Sequence, residues 1–210
     1  MPLRPFNGRT FVAFIDISGF KLMMQKNDEA MKALTRFYQA GYDCIDENGS
    51  VQGFFVSDCG ILFSDGIDFQ TQLDDLLSVI KNINRRMLNH GLMLTTSIAY
   101  GYFSYSNKLE FEGIGKNPIY GQAYLDAYLD SANGKPKIEP GQSRLLLNSL
   151  SENQIEDILM NPFLIKKGRS HVHFYWNLEQ PEHVTAFEIK YRDAYSRKFQ
   201  GMLEALNHRY

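Results

Sequence analysis

Two aspartates, Asp16 and Asp58, each stand where an apolar run breaks off, and paired carboxylates at strand ends are the groups here best placed for chemistry. The first closes the stretch Phe11 to Phe20, FVAFIDISGF, and the second lies in VQGFFVSDCGILF. Two carboxylates brought together repel, so that one is forced to keep its proton, whereas a pair of divalent ions makes both ionised forms favourable. After Asp16, Ile17-Ser18-Gly19-Phe20 makes a tight exit. Ser18 suits the cap of a following helix, Gly19 lets backbone approach a ligand, and N–H groups at a helix start attract phosphate oxygens. A divalent cation bridging to phosphates reconciles the carboxylate with the anion cradle. The plain alternative is that Asp16 caps a turn.

The elements that must hold these residues follow from periodicity. Val12, Phe14 and their neighbours form a nearly continuous apolar run, as in a central strand covered on both faces. Asp28 to about Glu47 has helical spacing and stops at Asn48-Gly49. Val51–Phe55 and Cys59–Phe63 flank Ser57-Asp58 and read as a hairpin with Asp58 at its turn. Phe69–Leu88 is a second amphipathic helix closed by His90-Gly91, and Leu92–Tyr100 a strand. Gly101 to Gly115 alternates aromatic and polar residues like a ribbon or arm, and Tyr120–Ala132 is a third helix. Beyond it come a strand at Ser143–Leu147, a serine-capped helix at Ser151–Met160, a strand at His171–Trp176 and a largely helical segment from Val184 to Tyr210. This order predicts an α+β sandwich, helices on a mostly antiparallel sheet, with Asp16 and Asp58 on neighbouring central strands. It reads as a single domain over 1–210, with a core of about 9–147 and a C-terminal α/β extension of about 148–210.

Composition narrows the function. A formal charge of -2 over 210 residues, with signs interspersed, leaves no basic stripe, so nucleic acid is disfavoured and phosphate recognition should be local. Cys44 and Cys59 lack metal-ligand spacing and read as reduced thiols of a cytoplasmic protein. No apolar run reaches the roughly 18 residues of a membrane span, so direct membrane insertion is not expected. His90, His171 and His173 have no matching third ligand for zinc, and Ser18 has no histidine partner that would make it a nucleophile.

The two aspartate motifs, followed in order by GQAYLDAYLDSA, resemble the class III nucleotidyl cyclases: an apolar strand leading to Asp-Ile-x-Gly-Phe, a second metal aspartate, and a dimer-interface helix after a glycine. The SDCGILF and TTSIAYG stretches and the Lys-Pro-Lys-Ile trailer look most like the stand-alone bacterial pyrimidine cyclases of Pycsar antiphage defence. The resemblance implies a class III cyclase-like sandwich and a homodimer with its sites at the interface. It implies that Asp16, the backbone carbonyl of Ile17 and Asp58 hold two Mn2+ or Mg2+ ions, with the Ile17, Ser18, Gly19 and Phe20 N–H groups on the phosphates. The implied reaction is UTP to 3′,5′-cyclic UMP and pyrophosphate, the messenger acting on a separately encoded effector.

Four positions depart from the purine cyclases. Phe54 stands where those enzymes read the base with lysine or glutamate. An aromatic side chain there fills the space left by a one-ring base and stacks on it, or else is simply sheet core. Pro118 occupies the partner base-reading position. Leu125 and Leu129 stand where the family has a ribose-orienting asparagine and a transition-state arginine. A substitute cation then has to come from Lys116, Lys135, Lys137, Arg144, Lys166 or Lys167, or the chain binds nucleotide without turning it over. Cytidylate cyclisation and a non-catalytic nucleotide-binding module are the alternatives to a uridylate cyclase.

Overall fold

The computed structural model describes residues 3–106, 109–111, 114–116 and 118–208. In chain order the elements are β1 (Phe6–Ile17), α1 (Phe20–Met23), α2 (Asn27–Asn48), β2 (Val51–Val56), β3 (Cys59–Ser64), α3 (Phe69–Leu88) and β4 (Leu94–Tyr105). They continue as β5 (Leu109–Phe111), β6 (Ile114–Lys116), β7 (Ile119–Tyr120), α4 (Gln122–Asn133), β8 (Ser143–Leu146) and α5 (Glu152–Leu159). The chain then adds β9 (Leu164–Lys167), β10 (His171–Phe174), α6 (Val184–Ala194) and α7 (Lys198–Leu206).

Eight strands form one sheet in the order β2-β3-β1-β4-β8-β10-β9, with β7 paired to the end of β4, and β5 and β6 make a separate ribbon. Only the β4–β8 pair is parallel, among the described residues. β1 lies between β3 and β4, antiparallel to both, and is covered on both faces, which accounts for its unbroken apolar run. Because strand side chains alternate, Phe11, Ala13, Ile15 and Ile17 enter the large core beneath α2, α3 and the C-terminal helices. Val12 and Phe14 enter a smaller core with Ile61, Phe63, Phe103 and two alanines of α4, Ala123 and Ala127. Asp16 shares that second face.

The serine cap expected at Ser151 forms, whereas the cap expected of Ser18 does not: α1 starts from Gly19 with no side-chain cap bond. Asp68 caps α3 through Thr71 N–H, and Ser151 and Gln154 form a capping box on α5. Gly121 starts α4 at φ 136°, and a Cβ there would stand 2.3 Å from the Tyr102 carbonyl oxygen, so only glycine lets the helix meet β4 this closely.

Three boundaries differ from the sequence reading. The strand expected at Leu92–Tyr100 runs on to Tyr105, because Phe103 and Tyr105 bury on the α4 side of the sheet, and the ribbon is confined to β5–β6. β9 was not expected. The C-terminal helix breaks at Tyr195–Arg197, after which Lys198 takes a φ of 52°. That break turns α7 back so that Met202, Ala205 and Leu206 reach the same core as Phe187 and Tyr191 of α6. No described helix is long and apolar enough to cross a membrane.

Candidate functional site

The site is built at the end of β1. Asp16 pairs across the sheet with Cys59 on one side and Thr95 on the other. The β2–β3 hairpin turns through Ser57, at φ 55°, and this left-handed residue swings Asp58 back over β1. The exit of β1 is then tied to both neighbours: Ile17 N–H donates to the Asp58 carbonyl at 3.1 Å and Ser18 N–H to the Met93 carbonyl at 2.9 Å. Gly19 follows at φ 79°, the left-handed region glycine favours, and α1 begins.

These constraints bring one ligand atom each of Asp16, Asp58 and Cys59 within 4.8 Å of one another. The Cys59 thiol donates to Asp16 Oδ1 at 3.4 Å. Burial raises the Asp16 carboxyl to about 6; the Cys59 hydrogen bond opposes the rise and the charge of Asp58 adds to it. Burial, then the charges of Asp16 and Asp58, push the Cys59 thiol up to about 12, so it stays a protonated donor. Two close carboxylates beside a strand-end carbonyl form a donor set suited to a hard divalent ion.

Asp16, Ser18 and Gly19 open into a cavity of about 540 Å³ bounded by the segment after α4 and by α7, with Lys137 and Lys198 in its wall. Neither lysine has an ion-pair partner among the described residues. The Ser18 hydroxyl is buried without a hydrogen-bond partner. Carboxylates, an orphan hydroxyl and two unpaired ammonium groups around one space suit a metal-bound polyphosphate.

The expected phosphate cradle needs a correction. The Ile17 and Ser18 N–H groups are engaged by their sheet neighbours, which leaves those of Gly19 and Phe20. Phe54 is half-buried on β2, opposite Ile61, on the same face as Asp16, with its ring centroid 6.0 Å from that of Tyr105. Two strand spacings and two residues separate it from Asp16, about 12 Å between Cα atoms.

Of the substitute cations, Arg144 is withdrawn. It is fully buried on β8, where Nε and Nη2 donate to the two Asp130 carboxylate oxygens at 2.8 and 2.7 Å and Nη1 to the Pro136 carbonyl at 2.6 Å. Ser97 Oγ at 2.5 Å and His171 Nε2 at 3.0 Å complete the shell of Asp130. Burial would raise the Asp130 carboxyl, yet His171, Arg144 and Ser97 together hold it at about 2. Lys166 and Lys167 lie on β9 at the far edge of the sheet, and Lys167 pairs with Glu188. Lys135 is exposed and outside the cavity wall, and the side chain of Lys116 lies outside the described residues.

Sequence reasoning missed Lys198 and Cys59. Nothing local marks Lys198, which reaches the cavity only through the break before α7. Cys59 was readable, since the residue after a two-residue hairpin turn must face the neighbouring strand end.

Neither a protein-family model nor a curated protein sequence matches the chain. Solved structures do. The adenylyl cyclase CyaB from P. aeruginosa is 17% identical, with a TM-score of 0.56, over 82% of this chain and 95% of that one. A bacterial light-regulated adenylyl cyclase is 13% identical, with a TM-score of 0.61, over 96% of this chain and 100% of that one. The guanylyl cyclase domain of the RhoGC fusion protein from the aquatic fungus Blastocladiella emersonii is 11% identical, with a TM-score of 0.61, over 82% and 98%. The fold is that of the class III cyclases.

Proposed function

We propose that on this class III cyclase fold the chain is a metal-dependent nucleotidyl cyclase, a homodimer that converts UTP to 3′,5′-cyclic UMP and pyrophosphate. The observation that carries the reading is the convergence of Asp16 and Asp58 beside a cavity walled by two unpaired lysines. Asp16, Asp58 and the Ile17 carbonyl would hold two divalent ions, Mn2+ or Mg2+, which would supply acidification of the ribose 3′-hydroxyl and charge neutralisation on the triphosphate. The Gly19 and Phe20 N–H groups and the Ser18 hydroxyl orient phosphate oxygens, and Lys137 and Lys198 offset the charge that builds on the leaving pyrophosphate. The 3′-oxygen bonds to the α-phosphorus as the bond to pyrophosphate breaks, and the hydroxyl proton passes to solvent.

The dimer is assigned to α4. Leu125, Tyr128 and Leu129 are 44–45% exposed on that helix, beside the partly open face that carries Phe54. At its distance from Asp16, Phe54 serves base recognition across such an interface, stacking on a pyrimidine. The Pycsar resemblance extends the proposal to antiphage signalling through a separate cyclic-nucleotide-responsive effector. CTP in place of UTP is the nearest variant.

One observation favours a second reading. Leu125 and Leu129 replace the asparagine and arginine of the catalytic family, which fits a module that binds nucleotide without turnover. Incubating the chain with ATP, GTP, CTP or UTP plus Mn2+, beside Asp58→Ala, and identifying products by mass decides. Cyclic UMP from the parent only is expected. Bound triphosphate with no product from any of the four favours the module.

A further inference from the structure

A second cavity, of about 390 Å³, lies on the far side of the C-terminal helices, between the β8–β10 end of the sheet and α6. Its volume is in the usual range for a small-molecule site. We propose that it binds a flat, ring-bearing monoanion. The proposal goes beyond the cyclase reading and does not depend on it.

The walls are aromatic and fixed. Trp176 Nε1 donates to the Gly141 carbonyl at 2.8 Å and the Tyr191 hydroxyl to the Pro140 carbonyl at 2.6 Å, so both rings are anchored by their polar ends and present apolar surface inward. Phe187 stands edge-on to Tyr175, ring centroids 6.0 Å apart, and closes the same wall. Such preset rings receive a planar ligand without further ordering.

Two polar groups of the wall lack partners. The Ser143 hydroxyl is 1% exposed, lines the cavity and has no hydrogen-bond partner, and the Asn177 side-chain N–H groups are buried and equally unmatched. A buried donor left unmade is costly, so the Asn177 N–H groups mark where an acceptor belongs, and the Ser143 hydroxyl, which can donate as well as accept, can join them. Charge points the same way. Lys167 and Glu188 cancel in an ion pair of 2.6 Å, while Arg192 at the rim has no ion-pair partner among the described residues, leaving one net positive charge. His173 in the wall is held neutral, its pKa lowered to about 4 by burial first and by the neighbouring cations next. Tyr195 lines both this cavity and that of Asp16, so an occupant touches a residue shared by the two.

Aromatic carboxylates and cyclic mononucleotides share this chemistry. Trp176 is the only tryptophan of the chain, and it reports occupancy without any turnover. The full chain is titrated with phenylacetate and, separately, with 3′,5′-cyclic UMP while tryptophan emission is followed. A saturable change is expected with at least one of them, weakened about tenfold in Arg192→Glu, as for loss of a charge-assisted contact. It is expected to be unchanged in Asp58→Asn. A response to phenylacetate alone assigns the site to ring carboxylates, and one to cyclic UMP alone to nucleotide monoanions. Flat emission with both probes, or equal responses in Arg192→Glu and in Asn177→Leu, overturns the proposal.

Discussion

Replacing Arg144 by methionine tests whether the buried cluster around Asp130 holds the sheet's parallel seam together. The substitution keeps much of the side-chain volume and removes the hydrogen bonds to both Asp130 oxygens and to Pro136. Asp130, 6% exposed on α4, is left with Ser97 and His171. Breaking a buried pair by removing one partner costs about 3–5 kcal/mol, and the two surviving contacts place the expected loss near 3 kcal/mol. The double variant Asp130→Leu/Arg144→Met removes both charges and is expected to recover to within about 1 kcal/mol of the parent. Urea unfolding followed by Trp176 emission and far-ultraviolet dichroism gives the numbers, with coincident transitions as the two-state check. Acid gives an independent reading. A carboxyl lowered from 3.8 to about 2 in the folded chain contributes stability above pH 4, about 2 kcal/mol, and that contribution is lost as pH falls through 2. Arg144→Met should flatten that slope. A loss below about 1 kcal/mol, the value of an exposed pair, or a double variant no better than the single, refutes the reasoning.

Mn2+ affinity, measured calorimetrically, should weaken about tenfold per pH unit below 6, because Asp16 must release a proton to bind; the same raised pKa makes its own contribution to stability greatest below pH 4 and lost as pH rises through 6. Lys137→Ala and Lys198→Ala should each lower kcat/KM for the triphosphate by about 10- to 100-fold, the loss expected of one charged hydrogen bond, without moving the unfolding midpoint; unchanged kinetics would separate the cavity from the chemistry. Leu125→Arg with Leu129→Arg should give a monomer by sedimentation with native dichroism and no turnover, and an active monomer would remove the interface from the mechanism.

The hairpin that carries Asp58 and the strand that carries Asp16 were legible because their apolar runs are short, dense and broken by turn residues, a local signal. The helices declared themselves by spacing, α3 most clearly. β9 escaped because an edge strand buries little: LIKK offers only Leu164 and Ile165 to the core. Arg144 looked like any surface cation, since its burial depends on Asp130, fourteen residues earlier and on another element. Lys198 is the extreme case. Its place in the cavity onto which Asp16 opens is decided by the packing of α7 on the core, which no window around either residue contains.

The thiol of Cys59 adds a soft donor beside the paired aspartates. Sulfur 3.4 Å from Asp16 Oδ1 turns a site for hard ions into a mixed one, and softer metals release the proton of a thiol that magnesium leaves in place. Under the proposed function, zinc in trace amounts would compete for the position assigned to manganese or magnesium. On that reading the ion inventory surrounding the protein, as well as its nucleotide supply, would set how many molecules are ready to act.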